Sequence, residues 1–179
     1  SAGRGAHAQR ACSPRRIGKS SPQSAETSLA SPPAGENQNN VARSVASQWA
    51  SSDPKAAAAW VASFPDGPTR DTSMQMVVSR WANDDPTGAG NFLQTLPDGK
   101  SKDRAISSYA SQISYQTPQA AAQWVNSIGD QTTRDMATQN VARSWLSTDR
   151  PAATAWLNQT GLSDAVKQTL LNAKTPVGV

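Results

Sequence analysis

From residue 41 onward, apolar side chains recur on one face of successive short helices. Ala42, Val45, Ala46 and Trp49 stand at i, i+3, i+4 and i+7, the spacing of a helix with one buried stripe. The same face returns as Met74, Val77, Val78, Trp81, then Ile106, Tyr109, Ala110, Ile113, then Thr138, Val141, Ala142, Trp145. A second stripe alternates with it: Ala57, Trp60, Val61, Phe64, then Ala89, Phe92, Leu93, Leu96, then Ala121, Trp124, Val125, Ile128, then Ala153, Trp156, Leu157, Thr160. The period-two alternation of a half-buried strand is absent.

Both stripes advance by 32 residues. Trp60, Phe92, Trp124 and Trp156 keep the step without a gap, and Trp49, Trp81 and Trp145 keep it with Ile113 in the third place. Asp53, Asp85 and Asp149 follow the same step with Thr117 between them. The pattern therefore predicts four helical hairpins over about 41–160 and a more polar last helix from Ser163 to about Ala173. One hairpin cannot bury both of its stripes, whereas stacked neighbours share a continuous core. The expected fold is all-α, a short α-solenoid of four tandem helical hairpins plus a C-terminal capping helix, with an extended N-terminal arm.

Capping signals mark the expected boundaries. Asp53-Pro54 and Asp85-Pro86 each read as an N-cap followed by proline at the first helical position, and Thr117-Pro118 reads as a hydroxyl version. Pro65-Asp66-Gly67 and Pro97-Asp98-Gly99 read as turns closing the second helices. Thr69, Ser101 and Thr133 are expected to cap the next first helices. Asp71, Asp103 and Asp135 are expected in their first turns, opposing the positive end of the helix dipole.

The run Trp49-Ala50-Ser51-Ser52-Asp53-Pro54-Lys55-Ala56-Ala57-Ala58-Ala59-Trp60 carries a family likeness. The array resembles tetratricopeptide-like α-solenoids, and more closely bacterial repeats of the form Trp-Ala-x-x-Asp-Pro-x-Ala-Ala-x-x-Trp. It departs from the tetratricopeptide signature in its 32-residue period and in a fixed proline that opens the second helix. The resemblance implies a binding or scaffolding role without catalytic residues, in membrane-anchored or exported proteins that carry a linker before the array.

Charge divides the chain. The 179 residues carry a formal charge of +4, of which residues 1–40 hold +3 and residues 41–179 hold +1. Residues 1–40 contain no Trp, Phe, Tyr, Met or Val, so they are expected to form a basic Ser/Pro/Ala-rich arm, disordered in isolation. Residues 41–173 are the repeat domain and 174–179 a short C-terminal tail. The single cysteine excludes an intrachain disulfide framework and any four-cysteine zinc site. No apolar run reaches the ~18 residues of a membrane span. The chain begins at Ser1 without an apolar leader, and is expected to be processed or cut from a longer one.

Candidate chemistry is sparse. Seven aromatic residues (Trp49, Trp60, Trp81, Phe92, Trp124, Trp145 and Trp156) occupy the core columns, where packing explains them better than sugar stacking. Arg70-Asp71, Lys102-Asp103 and Arg134-Asp135 recur in three units. Recurrence marks a structural device, read here as capping and ion pairing between units, with Asp66, Asp98 and Asp130 as partners. Asp84-Asp85 is the adjacent carboxylate pair, but Asp85 serves as a cap. His7 and Cys12 lie in the arm without the setting a nucleophile requires. Gly88-Ala89-Gly90 lacks the Lys-Ser/Thr of a phosphate loop and is read as a mark of close helix packing or of a locally weak helix.

These observations lead to a non-catalytic, protein-binding scaffold or adaptor subunit of a larger bacterial assembly, with no cofactor and no metal. Arg43, Ser47, Gln75, Ser79, Ser107, Ser111, Gln139 and Arg143 lie opposite the core on the first helices, and are the expected contacts on the array. In the arm, Arg10, Arg15, Arg16 and Lys19 form a basic cluster that suits a partner chain or a nearby anionic membrane surface. The alternative function is nucleic-acid or anionic-surface binding through that arm. Nucleic acid is disfavoured as partner, because the array itself carries no basic stripe in its sequence pattern. Scarce lysine and abundant Ser, Thr, Gln and Ala point to the bacterial cell envelope or periplasm.

Overall fold

A computed structural model describes residues 36–173, and every described element is a helix. In chain order these are α1 (Glu36–Ala50), α2 (Pro54–Ala62), α3 (Pro68–Asp84), α4 (Pro86–Thr95), α5 (Lys100–Ile113), α6 (Pro118–Asn126), α7 (Gln131–Thr148), α8 (Arg150–Gln159) and α9 (Asp164–Asn172). The hairpins fall where the periodicity places them, as α1–α2, α3–α4, α5–α6 and α7–α8. Two edges move. The helix α1 starts at Glu36, ahead of the apolar pattern, because a first turn of polar residues needs no buried face. The first helices also run to 14–18 residues, whereas the second helices have nine or ten.

Packing follows the chain one neighbour at a time. First helices pack side by side as α1–α3, α3–α5 and α5–α7, and the second helices α2, α4 and α6 are each wedged between their own first helix and the next. Second helices do not pack appreciably on one another, and α9 closes the array against α7 and α8. The longer first helices thus form an inner layer. A buried core runs through it from Ala46 to Val141, with a smaller cluster of Trp145, Leu157, Leu162 and Leu170 at the C-terminal end. Among the described residues no helix is long and apolar enough to cross a membrane.

Aromatic pairs lock each hairpin. Trp49 meets Trp60 at 5.9 Å between ring centroids, Trp81 meets Phe92 at 5.6 Å, and Trp145 meets Trp156 at 5.5 Å. Trp81 and Trp145 are buried, and the other five aromatic residues of the two columns are half-buried against the core. The third unit has Ile113 in place of tryptophan. Tyr109, one turn earlier, supplies the ring instead and meets Trp124 edge-on at 5.1 Å. That substitution needs space from its neighbour. A Cβ at position 90 would lie 3.0 Å from the Tyr109 hydroxyl and 3.2 Å from Trp124, so Gly90 marks the close approach. The Tyr109 hydroxyl donates to the Pro86 carbonyl at 2.8 Å.

The caps of the second helices are mostly as the sequence indicates. The carboxylates of Asp53, Asp85 and Asp149 accept from the N–H groups of Ala56, Gly88 and Ala152 at 2.9, 2.9 and 3.1 Å. Thr117 departs from the pattern: its hydroxyl, which carries a proton of its own, donates back to the Ile113 carbonyl at 3.3 Å and caps nothing. Asp85→Ala is therefore expected to lose about 1 kcal/mol in a urea melt, and Thr117→Ala markedly less.

The starts of the first helices need correction. Thr69 and Ser101 lie inside α3 and α5, and the residues at the N-cap positions are Gly67 and Gly99. Their φ values of 157° and 149° turn the chain where a side chain would be strained. Thr133 likewise lies inside α7, where its N–H and hydroxyl both donate to Asp130, the true cap, at 2.8 and 2.7 Å. Asp135 consequently falls beyond the first turn of α7 and accepts from Gln131 at 2.7 Å.

Two carboxylates join successive units. Asp71 and Asp103 are buried in the first turns of α3 and α5. Asp103 accepts from the backbone N–H groups of Gly129 and Asp130 at 3.0 and 2.8 Å. One repeat earlier Pro97 stands where Gly129 does and has no N–H to give. Asp71 accordingly takes side chains of the next unit, the Ser101 hydroxyl and the Arg104 guanidinium, the latter at 2.6 Å. Arg70 and Lys102 pair with the expected Asp66 and Asp98, which lie four residues earlier in the turns that lead from one hairpin into the next. Arg134 does not pair with Asp130; its guanidinium donates to the Ile128 carbonyl at 2.8 Å.

Candidate partner-binding groove

The inner layer of first helices leaves a groove on its solvent side, made of three adjoining hollows. One of about 650 Å³ lies between α1 and α3 and is lined by Asn40, Arg43, Ser44, Ser47, Gln48, Ser51, Met76 and Arg80. The next, about 670 Å³, shares Ser47, Met76 and Arg80 with it and adds Gln75, Ser79, Asn83, Asp84, Ser108 and Gln112. The third, about 450 Å³, shares Gln75 and Ser108 with the second and extends over α5 and α7 through Thr72, Lys100, Arg104, Ser107, Asp130, Thr132, Thr133, Met136 and Asn140. Shared lining residues make the three hollows continuous from α1 to α7.

Five of the eight contacts expected on the array line this groove, namely Arg43, Ser47, Gln75, Ser79 and Ser107. Ser111, Gln139 and Arg143 lie outside the three hollows; Ser111 donates to the Ser107 carbonyl at 2.9 Å and Arg143 to Asn140 at 3.3 Å. Arg10, Arg15, Arg16 and Lys19, with His7 and Cys12, fall outside the described residues.

The sequence held a signal for the lining residues it did not yield. Asn40, Thr72, Arg104 and Met136 stand 32 residues apart, and Ser44, Met76, Ser108 and Asn140 stand one turn further along. All eight line the groove. A face taken directly opposite the core passes beside these columns, because the groove lies where neighbouring first helices meet.

Asp130 shows how tightly the third hollow is wired. Hydrogen bonds from the Thr133 hydroxyl and N–H, then the charges of Lys100 and Arg104, hold its carboxyl below the ordinary aspartate value of 3.8. A lowered folded value stabilises the fold above the ordinary value, and that contribution disappears as pH falls through the folded one. Acidification from about pH 5 to about pH 2 should therefore weaken Asp130→Asn less than the native chain, read as a smaller fall in urea midpoint. Tyr109 is shifted the other way: burial, then the charge of Asp85, pushes its hydroxyl above 10.0. Its neutral form is the one the fold prefers, so stability from this group is present below about pH 10 and is lost above it.

Chemically, the groove offers hydroxyls, amides, two thioethers and a few separated charges. Among the described residues no three His, Cys, Asp or Glu side chains converge into a metal site. Fold and groove together define a helical-repeat array with a continuous polar face. No protein-family model, curated protein or solved structure matches the chain.

Proposed function

We propose that this chain is a non-catalytic scaffold or adaptor that holds an extended protein segment along its first helices, as a subunit of a larger bacterial assembly at the cell envelope. The carrying observation is a contrast between columns of the repeat. The core columns stay mainly apolar, and the aromatic one keeps its residue type: position 60 and its equivalents are Trp, Phe, Trp and Trp. The groove columns change from unit to unit, as Asn, Thr, Arg, Met and as Ser, Met, Ser, Asn. A periodic framework with a non-periodic lining suits a ligand whose own side chains do not repeat. Amides and hydroxyls along the lining suit a peptide backbone, and solenoids commonly use such extended faces for binding.

The non-catalytic part of the reading is supported by the fate of the carboxylates. Asp71 and Asp103, the buried ones, are engaged between units, and Asp85 is engaged as a cap. The envelope location rests on composition and on the sequence likeness, and the tetratricopeptide-like character on the likeness alone.

Quantitative mass spectrometry after affinity capture from native bacterial extract tests the reading. The full chain should retain proteins that are lost with Gln112→Trp, which fills an exposed groove position, and kept with Gln119→Trp on the second helix α6. Identical capture by all three chains would contradict it.

A further inference from the structure

We infer that the segment held in the groove is acidic, an inference that rests on the protein-binding reading above. The described array carries eleven basic and twelve acidic residues over 36–173, a net charge of −1. The groove reverses that balance: Arg43, Arg80, Lys100 and Arg104 line it, against Asp84 and Asp130. Of these six, Arg104 is held by Asp71, which leaves Arg43, Arg80 and Lys100 against Asp84 and Asp130, an excess of one positive charge. Among the described residues Arg43, Arg80 and Lys100 have no carboxylate within ion-pairing distance.

Arg43 and Arg80 share the first hollow, and Lys100 stands beside Arg104 in the third. Lys100 is the first residue of α5, where the helix dipole already presents positive charge. Asp130 offsets part of that charge in the third hollow, whereas the first hollow holds Arg43 and Arg80 with no acidic residue in its lining, so an incoming carboxylate is best placed there. Met76 lies between the first and second hollows, and Met136, 53% exposed, lies in the third. Flexible thioethers at these points accommodate apolar side chains interleaved with the acidic ones.

Length follows from helix spacing. Four first helices packed at ~8–10 Å span roughly 24–30 Å, the reach of about seven to nine extended residues. The chain's own arm has the wrong sign for this role, since residues 1–40 carry +3. A nucleic acid is the poorer match, because the three hollows contain no aromatic side chain on which a base stacks.

Selection of random nine-residue peptides by display on the full chain tests the inference. The selected pool should be enriched in Asp and Glu. Its best synthetic member should lose about tenfold in affinity against the triple variant Arg43→Gln/Arg80→Gln/Lys100→Gln, and should weaken as salt rises. Far-UV circular dichroism establishes that the variant keeps its helices. Selection of neutral or basic peptides whose binding is lost with Gln112→Trp would overturn the acidic inference and leave the groove reading standing. Recovery of no peptide sensitive to Gln112→Trp would overturn both. Random single-stranded DNA that binds more tightly than the best peptide, and is released by the triple variant, would replace the acidic segment by a nucleic acid.

Discussion

Trp81→Ala is expected to destabilise the array by about 3–5 kcal/mol, the cost of removing a large side chain from a well-packed interior. Trp81 is 7% exposed, faces Phe92 at 5.6 Å and sits in α3, which packs against both α1 and α5. Its loss weakens the second hairpin and the interfaces on either side of it, since each repeat is stabilised by its neighbours. Trp49→Ala is expected to cost less, because Trp49 is half-buried in the first described hairpin. Urea melts followed by far-UV circular dichroism compare the two without depending on tryptophan fluorescence. Equal, small losses for both would show that the tryptophan columns do not carry the core.

The second large effect belongs to a polar residue. Asp103→Ala is expected to cost about 2–4 kcal/mol, because it strips the carboxylate from two backbone N–H groups, those of Gly129 and Asp130. The loss also frees the loop that leads into α7, so the C-terminal units should melt ahead of the N-terminal ones. Hydrogen exchange read segment by segment checks this: α7 and α8 should lose protection in Asp103→Ala while α3 keeps it. Asp135→Ala is the control. Among the described residues Asp135 accepts only from Gln131 of its own helix, and its replacement should change stability by a few tenths of a kcal/mol.

Much of this architecture is legible in the sequence because helix periodicity and a 32-residue step reinforce one another. Trp60, Phe92, Trp124 and Trp156 are recognisable as one column before any coordinates exist, and Asp53-Pro54 and Asp85-Pro86 mark helix starts by chemistry that is local. What failed was chemistry whose partner is remote. Asp71 and Asp103 look alike in sequence, as acids in a first turn. Only the fold shows Asp103 reaching Gly129 and Asp130 while Pro97 denies Asp71 the same arrangement. Tyr109 stands in a valine column, and its partnership with Trp124 becomes visible once Ile113 is seen to leave a gap. Thr69, Ser101 and Thr133 look alike as caps in sequence, yet the turn before each first helix ends differently, at Gly67, at Gly99 and at Asp130.

The groove was half legible for a related reason. A single helix shows which face is opposite its core, and this brings out Arg43, Ser47, Gln75, Ser79 and Ser107. The seam between two first helices depends on how they pack. Arg80 and Lys100 appear only when α1, α3, α5 and α7 are set side by side, and the periodic columns of Met76 and Met136 gain their meaning from the same packing. The charge reversal follows from the same packing, because the caps Asp53, Asp85 and Asp149 fall outside the seam while Arg43, Arg80 and Arg104 fall within it beside Asp84 and Asp130.

Site-specific photo-crosslinking in native extract tests the central claim most directly. Photoreactive residues placed at Ser44 and Gln112, both exposed in the groove, should yield crosslinked protein partners. The same residues at Gln94 and Gln119, exposed on the second helices α4 and α6, should yield none. Partners crosslinked from Gln94 and Gln119, with Ser44 and Gln112 silent, would contradict the account and move the binding face to the other side of the array.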